Sequence, residues 1–243
     1  MSKEKLILDI RYFESDIKNI SGNPLPSYIG KIFSLHNEID SFSSRVARKL
    51  REYGFVTGDF DHIYINLTTV IPEGEINISS RRVEKWLKYF DVGFDKNRIN
   101  ALSEVEKISE IEKVTFDVLN LICKDEQRNI IERVKAEIAS RKSEIEILHK
   151  YKETKSYEIK LTYQIKPNCN ENSLAKIYYT NKKTGETFQE CIELQFYEDI
   201  FFLASSVSYS KGCILLKPRT SYRAELHNKR YNVPISIPVQ QNV

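Results

Sequence analysis

The hydrophobic period of this chain changes near Ser143, and that change limits the folds open to it. Before it, the longest patterned segments repeat at steps of three and four, the spacing of one helix face; after it, apolar residues recur at every second position, as in strands. A chain patterned in this order belongs to the α+β class.

The clearest helical signal runs through Ile32, Leu35, Ile39, Phe42, Val46, Leu50 and Tyr53, with Gly54 as the stop. Its other face carries Lys31, Glu38, Arg45, Arg48, Lys49 and Arg51 and reads as solvated. Strands are expected on both sides of this helix, at Leu6–Phe13 and within Asp61–Ile71, with a proline-rich loop at Gly22–Pro26. Trp86, Leu87 and Phe90, together with Val83, fit a short amphipathic helix, although Lys88–Val92 also suits a strand.

Ser103-Glu104-Val105-Glu106 has the form of a capping box, so a helix should begin there. The pattern pauses at the polar segment Lys124–Arg128 and resumes from Ile130 to Ile138, which predicts two helices or one bent one. Beyond Ser143 come alternating runs around Ile145 and Ile147, Tyr157–Ile165, Ala175–Tyr179 and Phe188–Phe196, and Lys182–Glu186 reads as a hairpin turn. A last strand is expected over Tyr231–Val239, confined to a sheet edge by Pro234 and Pro238. Three segments result: an N-terminal α/β part over 1–102, a charged helical part over 103–142 packed on the sheets, and an antiparallel sheet over 143–243.

With 243 residues, 37 basic and 34 acidic, the chain has no global field to draw it onto nucleic acid or anionic lipid. The cations are unevenly placed, however. From Ser205 onward Lys211, Lys217, Arg219, Arg223, Lys229 and Arg230 face a single acid, Glu225. Lys217, Arg219, Tyr222, Arg223, Lys229 and Arg230 therefore form the candidate nucleic-acid-binding set, in which cations would neutralise phosphates and tyrosine would stack on bases.

Other chemistry is thinly represented. Asp59, Asp61 and His62 with Glu73 and Glu75 could hold a divalent metal, but they also sit in ordinary turn sequences. Glu158-Ile159-Lys160 resembles the E-x-K portion of metal-dependent nucleases, with Glu144 or Glu146 as the upstream acid, although any strand with a polar face yields that spacing. No nucleophile elbow and no glycine-rich phosphate loop occur, so no catalytic residue, metal or cofactor is assigned. The short apolar run Leu6–Leu8 does not suit a signal peptide, and no run of about 20 apolar residues suits a membrane span. Cys123, Cys169, Cys191 and Cys213 are expected to be reduced, mostly buried thiols of a cytoplasmic protein, which leaves the sequons at Asn19, Asn66 and Asn77 without meaning.

The resulting expectation is a non-enzymatic bacterial protein that binds a protein partner, such as an immunity or accessory subunit of a toxin or defence system. Fourteen tyrosines and an exposed edge strand suit such an interface. A nucleic-acid-binding component and, after it, a metal-dependent nuclease are the alternatives. No membrane association is expected, and the oligomeric state is open.

Overall fold

A computed structural model describes residues 4–18, 25–36, 38–81, 84–167 and 171–239. The chain is α+β and divides into two compact units, 1–143 and 144–243.

The first unit contains β1 (Lys5–Leu6), β2 (Asp9–Ser15), β3 (Ser27–Tyr28), α1 (Glu38–Glu52), β4 (Val56–Gly58), β5 (His62–Thr68), β6 (Ile76–Ile78), β7 (Leu87–Gly93), α2 (Lys96–Ala101), α3 (Glu104–Ile122) and α4 (Arg128–Arg141). Its main sheet has the order β3-β2-β5-β7-β6, with β2, β5 and β7 parallel and the two short outer strands antiparallel. The expected first strand is split: β1 pairs with β4, and the main-sheet strand starts at Asp9.

The three parallel strands present two different faces. Ile10 and Tyr12, Ile63, Ile65 and Leu67, and Phe90 and Val92 are buried on one face. Helix α1 lies against β2 on this side and α3 and α4 lie against α1, while the Tyr12 hydroxyl bonds Thr115 Oγ1 on α3 at 2.6 Å. The other face carries Phe13, Tyr64 and Tyr89, whose ring centroids lie 4.9 to 5.7 Å apart in tilted and edge-on contact.

Two expectations are corrected here. Helix α1 begins at Glu38, because Ile32 and Leu35 belong to a loop fixed by a buried side chain. Glu14 is 0% exposed and its carboxylate accepts backbone N–H bonds from Gly30, Lys31 and Ile32 at 2.8, 2.9 and 2.6 Å. The segment around Trp86 is not a helix: Leu87–Gly93 is the interior strand β7, between β5 and β6 and with residues buried on both faces, so its apolar residues do not alternate. Val83, Asn19 and most of the Gly22–Pro26 loop lie outside the described residues. The capping box is present in full, with Glu106 Oε2 accepting from Ser103 N at 2.8 Å and Ser103 Oγ from Glu106 N at 3.4 Å.

The second unit contains β8 (Ile147–Glu153), β9 (Tyr157–Tyr163), β10 (Ser173–Asn181), β11 (Thr187–Leu194), α5 (Ile200–Leu203), β12 (Ser206–Ser210), β13 (Cys213–Lys217), α6 (Tyr222–Asn228) and β14 (Ile235–Pro238). All its pairings are antiparallel, in sheets of order β11-β10-β9-β8 and β12-β13-β14. One core serves both sheets: Ile159, Leu161, Ile177 and Leu194 meet Val207, Ile214, Leu216 and Ile237. The hairpin at Lys182–Glu186 forms as its sequence indicates, with Gly185 at φ 78°. The last strand is shorter than expected and among the described residues pairs with β13 alone, as an edge strand does.

Candidate binding sites

The sequence places the basic set on the last strands, but the structure turns its centre into a helix. Ser221 caps α6, its Oγ accepting from Ala224 N at 3.2 Å. Ala224 and Asn228 face inward, which leaves Tyr222, Glu225, Leu226 and Lys229 along one outer ridge. Tyr222 is 78% exposed and Leu226 46%. On the flank, the Arg223 guanidinium lies 5.8 Å from the Phe202 ring centroid and that of Arg230 5.2 Å from Phe196. Arg219 donates its backbone N–H to Phe202 O at 2.8 Å. The structure thus draws Arg219, Arg223 and Arg230 round the turn at 196–203, with Tyr222 and Lys229 on the adjoining ridge, while Lys217 is exposed at the end of β13.

A buried carboxylate organises this region. Asp199 is 0% exposed and accepts from the Tyr231 hydroxyl at 2.6 Å, from Phe196 N at 3.2 Å and from His227 Nδ1 at 3.2 Å. The His227 ring stacks on Phe202 with centroids 4.3 Å apart. Burial, with the Asp199 bond added to it, pushes the Tyr231 hydroxyl up to about 12, so this tyrosine stays protonated and donates. The Asp199 cluster fixes the turn under α6.

A second candidate, missed in the sequence, lies in the first unit at the carboxyl ends of β2 and β5, where open parallel sheets commonly take ligands. Ser15, Ile17, Lys18, Asn66, Thr68, Val70, Ile71, Arg81 and Asp91 line a cleft of about 210 Å³ there. Asn66 is 2% exposed. Its Nδ2 donates to Ser15 Oγ at 2.9 Å and to Asp91 Oδ1 at 2.7 Å, and Ser15 Oγ donates to Thr68 Oγ1 at 3.2 Å. A carboxylate can only accept, so Asp91 fixes the orientation of the Asn66 amide. Asn66 Oδ1 is then a buried acceptor without a hydrogen-bond partner among the described residues, an arrangement that costs about 1–3 kcal/mol. The only hint in the sequence was the sequon, and burial makes Asn66 a poor glycan acceptor.

The metal candidates are not assembled. His62 stands at the amino end of β5, its Nδ1 2.6 Å from Asp61 Oδ1 and its ring against Trp86, whereas Glu73 and Glu75 follow the opposite end of that strand. Glu73 pairs with Arg98. Glu146 accepts from Thr162, Lys176 and Tyr178, and Glu158 lies four residues before Thr162 on β9, opposite Glu153. Lys160 lies over the Tyr178 ring, 5.6 Å from its centroid. Among the described residues no group of three or more His, Cys, Asp and Glu side chains could hold a metal ion. Cys191 is exposed and Cys123 and Cys213 are half-buried, all three free, which corrects the expectation of buried thiols; Cys169 lies outside the described residues. No helix among the described residues is long and apolar enough to cross a membrane.

These features define an α+β protein with a basic helical face on one unit and a polar cleft on the other. Comparison of the chain with protein-family models, curated proteins and solved structures finds no match in any of the three.

Proposed function

We propose that this chain is a non-enzymatic binding protein that docks an acidic partner protein through the outer face of α6, in the manner of an immunity or accessory subunit. One observation carries the reading: an exposed aromatic and aliphatic ridge, Tyr222 and Leu226, flanked by arginines already held against aromatic rings. Tyrosine and arginine supply much of the energy of protein interfaces, and side chains held in place lose less entropy on binding. Leu226, exposed beside Tyr222, favours a protein partner over nucleic acid, because an aliphatic side chain gains by burial in a protein interface and offers a phosphate backbone nothing. A cytoplasmic setting is part of this proposal and rests on the sequence alone.

The test is capture from native extract of the source cells, after nuclease treatment, with the wild-type chain and a Tyr222→Ala, Arg223→Glu variant. A stoichiometric acidic protein is expected on the wild type and about tenfold or more weaker on the variant. A chain that elutes alone at its normal abundance overturns the proposal. Retention that disappears with nuclease, and otherwise falls steeply with salt, transfers it to nucleic acid.

A further inference from the structure

The lining of the cleft on the first unit specifies a ligand more closely than its shape alone. Two residues of the lining carry acceptors: Asn66, whose buried Oδ1 has no hydrogen-bond partner among the described residues, and Asp91, whose carboxylate has taken one bond from Asn66 and retains capacity for more. Lys18 and Arg81 bring positive charge to the same lining, and Ile17, Val70 and Ile71 give it an aliphatic wall. A simple anion meets Asp91 unfavourably, and a simple cation meets Lys18 and Arg81. A molecule carrying both charges on a short aliphatic frame satisfies every part of the wall.

The size agrees. A cavity of about 150 Å³ takes benzene, with six carbons, so the volume of 210 Å³ corresponds to roughly eight non-hydrogen atoms. We propose that this cleft binds a free α-amino acid with a small aliphatic side chain. Its ammonium group donates to Asp91 and Asn66 Oδ1, its carboxylate faces Arg81 and Lys18, and its side chain packs on Val70 and Ile71. Asn66 Oδ1 is buried, so Asp91 makes the first contact with the ammonium group.

Calorimetric titration of the full chain with L-valine at millimolar concentration tests this directly, alongside N-acetylvaline, which lacks the ammonium, and valinamide, which lacks the carboxylate. Saturable binding of L-valine is expected, about tenfold or more weaker for each analogue and for Asp91→Asn. The analogues are measured on the wild-type protein, so the result stands even if a variant folds poorly. Absence of L-valine binding overturns the proposal, with water left as the partner of Asn66. Equal binding of N-acetylvaline, or binding unchanged in a folded Asp91→Asn protein, overturns it as well.

Discussion

A Cβ on Gly93 would lie 1.8 Å from the carbonyl oxygen of Pro72 and 2.6 Å from its carbonyl carbon, both of them backbone atoms that cannot swing aside. The contact is held by two further bonds, Gly74 N to Gly93 O at 3.0 Å and Gly93 N to Glu75 O at 2.9 Å. Gly93→Ala should therefore destabilise the protein by about 2–3 kcal/mol, measured as a lowered urea midpoint with unchanged slope. This need for glycine was not legible in the sequence, where Gly93 ends an ordinary strand pattern. The same holds for Glu14 and Asn66. Each looks like the polar member of an alternating strand, and only the packing of a distant loop or a neighbouring strand gives it a fixed set of partners.

Among the elements, caps and tight turns were legible from local signals, while the start of α1 and the strand at Leu87 were decided by neighbours. The capping box at Ser103 and the hairpin at Gly185 carry their reasons within a few residues. Strand β7 does not: Trp86, Leu87 and Phe90 are spaced as in a helix, and only a place between β5 and β6 makes a strand from Leu87 onward, with Trp86 in the turn before it. Helix α6 was missed because its buried face has just Ala224 and Asn228, too few apolar residues to show a period. The basic patch was thus legible as composition and not as shape. Strand β11 shows how an element is protected. It is the outermost strand of its sheet, and Glu190 stands opposite Ile177 on the core-facing side, between Phe188 and Ile192, yet stays exposed. A charge directed inward on an edge strand blocks the addition of another strand. Glu190→Val should make the chain self-associate through β11, seen as a concentration-dependent rise in mass by light scattering; a strictly unchanged mass would show that the edge is closed in another way.

At the scale of the whole molecule, the second unit carries a titration that ties stability to pH. In the second unit His149 donates from Nε2 to the Ala204 carbonyl at 2.8 Å, and burial pushes its imidazolium pKa down to about 4 from 6.5 despite that bond. The unfolded chain takes up this proton at a higher pH than the folded one, so stability falls as pH drops from about 6.5 towards 4 and levels off below. The loss is on the order of 3 kcal/mol. Glu144, held below the usual range by Lys166, also weakens the fold in acid, but only below about 4.5. Chemical denaturation between pH 6.5 and 5 should therefore show a slope that is absent in His149→Phe. The topology of the two units also differs in a way that concerns time. Strand β2 finds its partner β5 53 residues later, as in the bond between Ser15 and Thr68, while β8, β9 and β10 each join the next strand in sequence. Non-local parallel pairing is slow and local hairpins are fast. On a growing chain, the first long strand made waits longest, with Ile10, Tyr12 and Phe13 uncovered, and during that interval it is a natural client for a chaperone.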